Sequence, residues 1–324
     1  MVQQSVAEAK ESFVRDHGKW TAASIHLGND VYTFDPPQVD TRLRRVLQCA
    51  ADVVGGSLEK TTVLDLACLE AQFGIELALH GARVTAIEGR PTNIAKCEFV
   101  KDILSLDNIT FLQDDVRNLS VEKYGHHDIV LCLGILYHMD TPDAMELIKS
   151  AFDVCTRAVI FETHVSPAPD EVFTWNGKTY SGSYYPEHGS SDWEEQKDKV
   201  WSSIGNTRSF KFTLASLCNI LHHVGFSSVH HCLNPYEYHN ADWPEKPMGD
   251  RHVVEKDRVT LTAIKGRSQA LLSSPITENS PEVDRPEYEK YQGDLPQPGR
   301  GGSEGANGRK HLASRLLRRL RARL

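Results

Sequence analysis

The stretch VLDLACLEAQFGIELALHGARVTAIEGR, residues 63–90, decides the fold. Val63 to Ala67 is a short apolar run interrupted only by Asp65, which suits a strand covered on both faces. A helix over 72–80 follows, and RVTAIE (83–88) reads as a second strand that ends in an acid, Glu88. Strand, tight turn, helix and strand in under 30 residues make a βαβ unit. The crossover places both strand ends on the same edge of a parallel sheet.

Working outward, the alternation continues. NIAKCEFVKDIL (93–104) carries a helical pattern and ITFLQDD a strand ending at Asp114-Asp115. HDIVLCLG (127–134) is the most apolar strand, MELIKSAFDVC (145–155) a helix and RAVIFET (157–163) another strand. The spacing predicts an α/β fold, Rossmann-like and doubly wound, with a mostly parallel seven-stranded sheet and ligands at the C-terminal strand ends. TLASLCNILHHVGF (213–226) returns to helix, and SSVHHCLNPYEY with DRVTLTAIKG predicts an antiparallel hairpin closing the sheet.

Four further regions flank this core. Residues 1–60 form an N-terminal helical extension with an irregular insert; LRRVLQCAADVV (43–54) has apolar residues at helical spacing and stops at Gly55-Gly56. Between about 164 and 210 the periodicity fades into VFTWNGKTYSGSYYPEH, a cap insert inside a domain spanning 61–266. Residues 267–308 are rich in Pro, Gly, Ser and Glu, which predicts a disordered linker. RKHLASRLLRRLRARL (309–324) spaces leucines four apart between arginines, a basic amphipathic helix suited to peripheral contact with an anionic membrane, to nucleic acid, or to solvent.

Composition narrows the function. The 324 residues carry a net charge of −8, and the seven basic residues of 309–324 leave the body at −15, which disfavours a broad nucleic-acid surface. No run is long and apolar enough to span a bilayer, and the N-terminus lacks the apolar core of a secretory signal. The seven cysteines are scattered without CxxC pairs, which suits free thiols in a reducing cytoplasm. His222-His223 and His230-His231 match no zinc spacing.

The motif order resembles the class I, Rossmann-like S-adenosylmethionine-dependent methyltransferases. Residues 63–90 look like their first two motifs, FLQDDVRNL (111–119) the third, and HDIVLCLGILYHM (127–139) the fourth strand with its loop. More loosely, WTAASIHLGNDVYTF, SGSYYPEH and DRVTLTAIKGR resemble a bacterial subgroup distantly similar to wobble-uridine carboxymethyltransferases. The resemblance implies S-adenosylmethionine as cofactor. Asp65 would orient the turn or meet the methionine amino group, and the Ala67, Cys68 and Leu69 backbone would pass the methionyl part. Glu88 would take the ribose hydroxyls, Asp115 with Val116 the adenine, and Leu133 with Gly134 the methionine tail. Asp115 reads equally well as a helix cap, and Asp114 as a solvated neighbour. Ala67, Leu69 and Ala71 stand where the family carries glycines, so Leu69 is expected to avoid positive φ.

Methyl transfer to a hydroxyl needs alignment and a general base. His138, His164 and Glu162 follow the fourth and fifth strands and are the candidate catalytic residues; Glu162 with His164 could also hold a divalent ion, although no complete metal ligand set is visible. Trp20, His26, Tyr137, Tyr184 and Tyr185 are candidate acceptor-binding residues, with core packing as the competing role for the aromatics. The reading is an O-methyltransferase acting on a glycan, glycolipid or hydroxylated metabolite. The alternatives are a tRNA-modifying transferase of the wobble-uridine type and a non-catalytic binding protein with a degraded cofactor site.

Overall fold

The computed structural model describes residues 5–34, 41–190, 192–197, 199–232 and 258–267. The linker over 267–308, apart from its first residue, and the basic helix over 309–324 lie outside the described residues.

The chain opens with α1 (Val6–His17), started by a reciprocal capping box between Ser5 and Glu8, and a small hairpin of β1 (His26–Gly28) and β2 (Val31–Tyr32). After α2 (Thr41–Val54) comes the core: β3 (Thr62–Leu66), α3 (Gln72–Leu79), β4 (Arg83–Glu88), α4 (Pro91–Leu104) and β5 (Ile109–Gln113). Then follow α5 (Val121–Tyr124), β6 (His127–Leu133), α6 (Asp143–Val154) and β7 (Cys155–His164). Pro91 begins α4 at the one helical position where its missing N–H costs nothing.

The seven-stranded sheet closes with β11 (Ser228–His231) and β12 (Arg258–Ile264), in the order β11-β12-β7-β6-β3-β4-β5. Strands β3 to β7 are parallel; β12 runs antiparallel to β7 from Arg258 opposite His164 to Ile264 opposite Ala158, and β11 antiparallel to β12. Connections leave β3 toward β4 on one side, whereas β6 pairs with β3 on the other. The crevice between diverging loops therefore opens at the ends of β3 and β6.

One core, on the side of α6 and α8 (Leu214–Val224), joins Leu64, Leu66, Val130, Cys132 and Phe161 to the cap. The other gathers Val63, Ile75, Leu77, Val84, Ile129 and Leu131 with Trp20, Ile25 and Leu27 of the N-terminal extension. The consecutive strand residues Leu64, Asp65 and Leu66 are all buried, as expected of a strand with helices on both faces.

The region between 164 and 213 has a regularity that its composition hides. β8 (Glu171–Trp175), β9 (Lys178–Pro186) and β10 (Arg208–Phe212) form their own antiparallel sheet, with α7 (Trp193–Gln196) between β9 and β10. Its last strand runs two residues past the expected end of the cap. Phe210 N–H donates to Met139 O at 2.8 Å and Trp175 Nε1 to Glu146 at 2.8 Å, fastening this sheet to the turn after β6 and to α6.

Candidate active site

The turn after β3 carries the sharpest local feature. Ala67, Leu69 and Ala71 all take left-handed backbone, with φ of 51°, 55° and 57°. The expectation that Leu69 avoids positive φ is thus overturned: the loop keeps the path that glycines would ease, without the glycines. Each such residue costs about 1–2 kcal/mol. The return is a set of backbone bonds: Cys68 N–H to Ile87 O at 2.9 Å, Ala71 N–H to Cys68 O at 2.7 Å and Leu69 N–H to the Glu88 carboxylate at 3.0 Å. The last is charge-assisted and contributes about 1.5–3 kcal/mol by itself, so the turn is held despite its side chains.

Glu70 is the pin beneath it. Its buried carboxylate accepts from the backbone N–H groups of Thr21, Ala22 and Ala23 at 2.8–2.9 Å and from Lys96 Nζ at 2.9 Å. Lys96 also donates to Lys19 O at 2.7 Å. The N-terminal extension is therefore bolted to the turn by one buried ion pair, a role that neither residue's type or spacing advertised.

Asp65 is buried below the turn, with Oδ2 unpartnered among the described residues. Burial pushes its carboxyl up to about 7, against the pull of the Gly74 N–H, and the nearby Glu88 charge adds to the rise. The Gly74 N–H ties Asp65 to the first turn of α3.

Glu88 is also buried, and burial raises its pKa against the pull of its hydrogen-bond donors. Oε2 accepts from Leu69 N–H, and Oε1 from Arg90 N–H at 2.8 Å and Asn93 Nδ2 at 3.2 Å. Of about four acceptor positions on a carboxylate, three are taken within the protein.

A crevice of about 240 Å³ opens along these strand ends. Ala67 and Glu88 to Arg90 line one side, Gln113 to Arg117 the second, and Ile135, His138 and Met139 the third. Ser202, Ser203, Ile204 and Asn206 of the cap form a strap over it. Arg90 holds the strap by donating from Nη2 to the carbonyls of Lys199, Ser202 and Ser203 at 2.9–3.3 Å. A Cβ on Gly89 would meet Ile204 Cδ1 at 2.6 Å, so any side chain there would displace the Ile204 methyl that rests on it.

Asp115 behaves as a cap: Oδ1 accepts from Arg117 N–H at 2.9 Å, and both oxygens take the Arg117 guanidinium. Val116 is buried at the crevice wall. Asp114 is not a solvated bystander, because Asn118, Lys123 and Tyr124 all donate to it; these donors outweigh its desolvation and hold it well below the usual carboxylate range. Leu133 ends β6, and Gly134 turns with φ 77° while its N–H donates to Glu162 O at 2.8 Å.

Beside the crevice, Tyr137 lies tilted against His138, with ring centroids 4.3 Å apart, and edge to face with His164 at 4.6 Å. Tyr137 Oη would lie 3.8 Å from a Cβ on Gly134. His138 Nδ1 lies 3.0 Å from Glu187 Oε2, a cap residue the sequence reading passed over. Glu162 is buried and paired with Arg258 and, at 3.7 Å, Arg42, so its carboxylate faces guanidinium groups. Among the described residues no three His, Cys, Asp or Glu side chains gather at metal-binding spacing.

The aromatic candidates divide. Trp20 is buried and packs on Phe13 and Phe99, in the role of core rather than wall. His26 is exposed and stacks on Tyr32 within the hairpin. Tyr184 lies under Arg208 with its hydroxyl 2.7 Å from Thr141 Oγ1, and Tyr185 lies under Lys211; both fasten the cap sheet, and neither is among the residues lining the crevice. Cys68 and Cys97 are buried free thiols under the turn.

Comparison with known proteins agrees with this geometry. Residues 63–157 match the methyltransferase domain family. YqeM of Bacillus subtilis (strain 168), a protein named as a methyltransferase, is 28% identical over 152 residues, 46% of this chain and 56% of that protein. The ubiquinone biosynthesis O-methyltransferase of Nitrosomonas europaea is 29% identical over 110 residues, 33% of this chain and 43% of that enzyme. The chain thus spans about half the length of these relatives. In fold it is similar to the N-terminal domain of EvdMO1, solved in the presence of SAH and D-fucose, with a TM-score of 0.61 at 18% identity over 82% of this chain and 98% of that one.

Residues 63–157 thus match a methyltransferase domain, and the fold that holds them is Rossmann-like, similar to that of the EvdMO1 domain solved in the presence of SAH. The finer similarity to wobble-uridine carboxymethyltransferases finds no support in these relatives. Among the described residues no helix is long and apolar enough to cross a membrane, and the expected membrane contact through 309–324 lies outside them.

Proposed function

We propose that this protein transfers a methyl group from S-adenosylmethionine to a hydroxyl of a small hydroxylated acceptor, a glycan, glycolipid or related metabolite. The observation that carries the proposal is the His138–Glu187 pair standing at the crevice edge opposite the Glu88 turn. The residues fit the cofactor. Glu88 retains an acceptor position for a ribose hydroxyl, Val116 offers an apolar wall for a base, and the backbone at Ala67 lies at the crevice wall where a methionine tail would pass.

When bound, S-adenosylmethionine supplies an electrophilic methyl on a positively charged sulfur. The protein does the rest. Tyr137 and His164 pack edge to face beside His138, and the strap residues Ser202 to Ile204 line the crevice, where they would limit the access of water to a bound ligand. His138 Nε2 takes the acceptor's hydroxyl proton as the oxygen–carbon bond forms and the carbon–sulfur bond breaks, the electron pair of the latter staying on sulfur. O-methyltransferases among the relatives, and a fold neighbour solved with the sugar D-fucose, support this acceptor class.

The test is to incubate the protein with S-adenosylmethionine labelled in its methyl group and extract from the source cells, then separate RNA, lipid, polysaccharide and small molecules. Alkali-stable label in the sugar, lipid or metabolite fractions that is lost in His138→Gln supports O-methylation of this class. Label confined to RNA, or no label at all, overturns it.

A further inference from the structure

Glu187 follows β9 and belongs to the cap, yet its carboxylate is spent on the other side of the crevice. Its oxygens lie 3.0 and 3.1 Å from His138 Nδ1, and Oε2 also accepts from Ser203 N–H at 3.1 Å. The Glu187 backbone N–H donates to Thr207 O at 2.8 Å, and Asn206 Nδ2 donates to His138 O at 2.9 Å. Carboxylate, imidazole and strap are thus held together from three directions. The Glu187 side chain is 9% exposed and that of His138 18%. Burial raises the Glu187 pKa, but the His138 imidazole and the Ser203 N–H pull harder, so the net direction is down and the group stays ionised.

An ionised carboxylate only accepts hydrogen bonds, so the proton between the two side chains sits on Nδ1, and in the neutral imidazole the lone pair is then on Nε2. Among the described residues His138 Nε2 has no hydrogen-bond partner, and His138 borders the crevice.

We propose that Glu187 is a positioning residue that fixes His138 in the Nδ1–H form, aims Nε2 at the acceptor hydroxyl and stands ready beside the imidazolium formed when the proton arrives. This rests on the reading of His138 as the base. The physical need is specific. An imidazole without a partner favours the Nε2–H form, in which Nε2 has no lone pair to give. A buried, charge-assisted bond at Nδ1 reverses that preference. It also places a negative charge where positive charge develops, with no reorganisation at the moment of transfer. Glu187 touches no reacting atom in this account; it acts through His138.

The experiment is long-range proton–nitrogen correlation NMR at pH 8 on the full chain labelled with nitrogen-15 histidine, His138→Gln serving to assign the signal. The wild type should show His138 as the Nδ1–H tautomer, and Glu187→Ala should move it mainly to Nε2–H. Methyl transfer should slow at least tenfold in the variant while thermal unfolding shows a folded protein. An Nε2–H tautomer in the wild type overturns the proposal even if Glu187→Ala does not fold. So does an Nδ1–H tautomer that survives in a folded Glu187→Ala. Calorimetry with S-adenosylhomocysteine on the same samples separates this from the parent reading: failure of the wild type to bind contradicts the cofactor crevice and leaves the tautomer result standing.

Discussion

Gly74, on the first turn of α3, faces Asp65 on β3 so closely that a Cβ at position 74 would stand 3.0 Å from Asp65 Oδ2. It would also press on Val84 at 3.4 Å and Ile109 at 3.5 Å. Gly74 lies beyond the turn positions held by Ala67, Leu69 and Ala71, and a glycine there permits close approach to a buried acid. Gly74→Ala should destabilise the protein by about 1–3 kcal/mol, the usual range for overpacking a core. Chemical denaturation of the pair of proteins measures it; equal midpoints would show that the acid can swing aside without cost.

The same acid gives a pH dependence with a definite sign. Asp65 is raised to about 7 by burial, whereas in the unfolded chain it ionises near pH 4. Between those values the unfolded state releases its proton and the folded state keeps it, so this group favours folding below about pH 4 and that contribution is lost as pH rises toward 7. The loss is on the order of a few kcal/mol. Asp65→Asn should flatten the stability profile of the unliganded protein over this window. An unchanged slope in the variant would mean that Asp65 is ionised when folded.

Glu70 and Lys96 predict a larger effect. Both side chains are buried and the carboxylate takes three backbone N–H groups as well. Glu70→Ala leaves Lys96 charged and buried without its partner, which costs about 3–5 kcal/mol. The double variant Glu70→Ala/Lys96→Met should recover part of that loss. A single variant within 1 kcal/mol of wild type, roughly the value of an exposed pair, would contradict the pinning role.

Much of this was legible beforehand, and the reason is periodicity. RVTAIE was assigned as a strand over 83–88, the residues that form β4, and the closing hairpin of β11 and β12 was expected from two apolar runs. Motif order placed Glu88 and Val116 at the crevice. What escaped lacks a local signal. The cap sheet is built of Tyr, Ser, Thr and Lys, whose burial depends on partners far away, such as Tyr184 on Thr141. Glu187 gives no sign in its neighbourhood of the imidazole 49 positions earlier in the chain. For Trp20 the sequence leaves an acceptor-binding wall and core packing both open, and the structure shows it packed in a core with Phe99, a contact only the fold creates. Leu69 takes left-handed backbone against its steric preference because its N–H bonds to Glu88, a partner that lies 19 residues further along the chain.

Arg90 gives a prediction about the strap. Its guanidinium ties three carbonyls of residues 199–203 over the crevice. Arg90→Met keeps the stem and removes the donors, at a cost of about 1.5–3 kcal/mol to strap closure. Dissociation of S-adenosylhomocysteine should accelerate by roughly tenfold or more, measured by stopped-flow displacement. An unchanged rate would show that the strap does not hold the ligand.

The crevice along the ends of β3, β4, β5 and β6 is proposed to bind the cofactor through Glu88. Titration calorimetry of the full chain with S-adenosylhomocysteine, wild type against Glu88→Ala, tests it most directly. Loss of a buried charged acceptor predicts at least a tenfold weaker affinity in a variant that still folds, about 1.5–3 kcal/mol. Equal affinity in the two proteins, or no binding by the wild type, would contradict the assignment of the crevice.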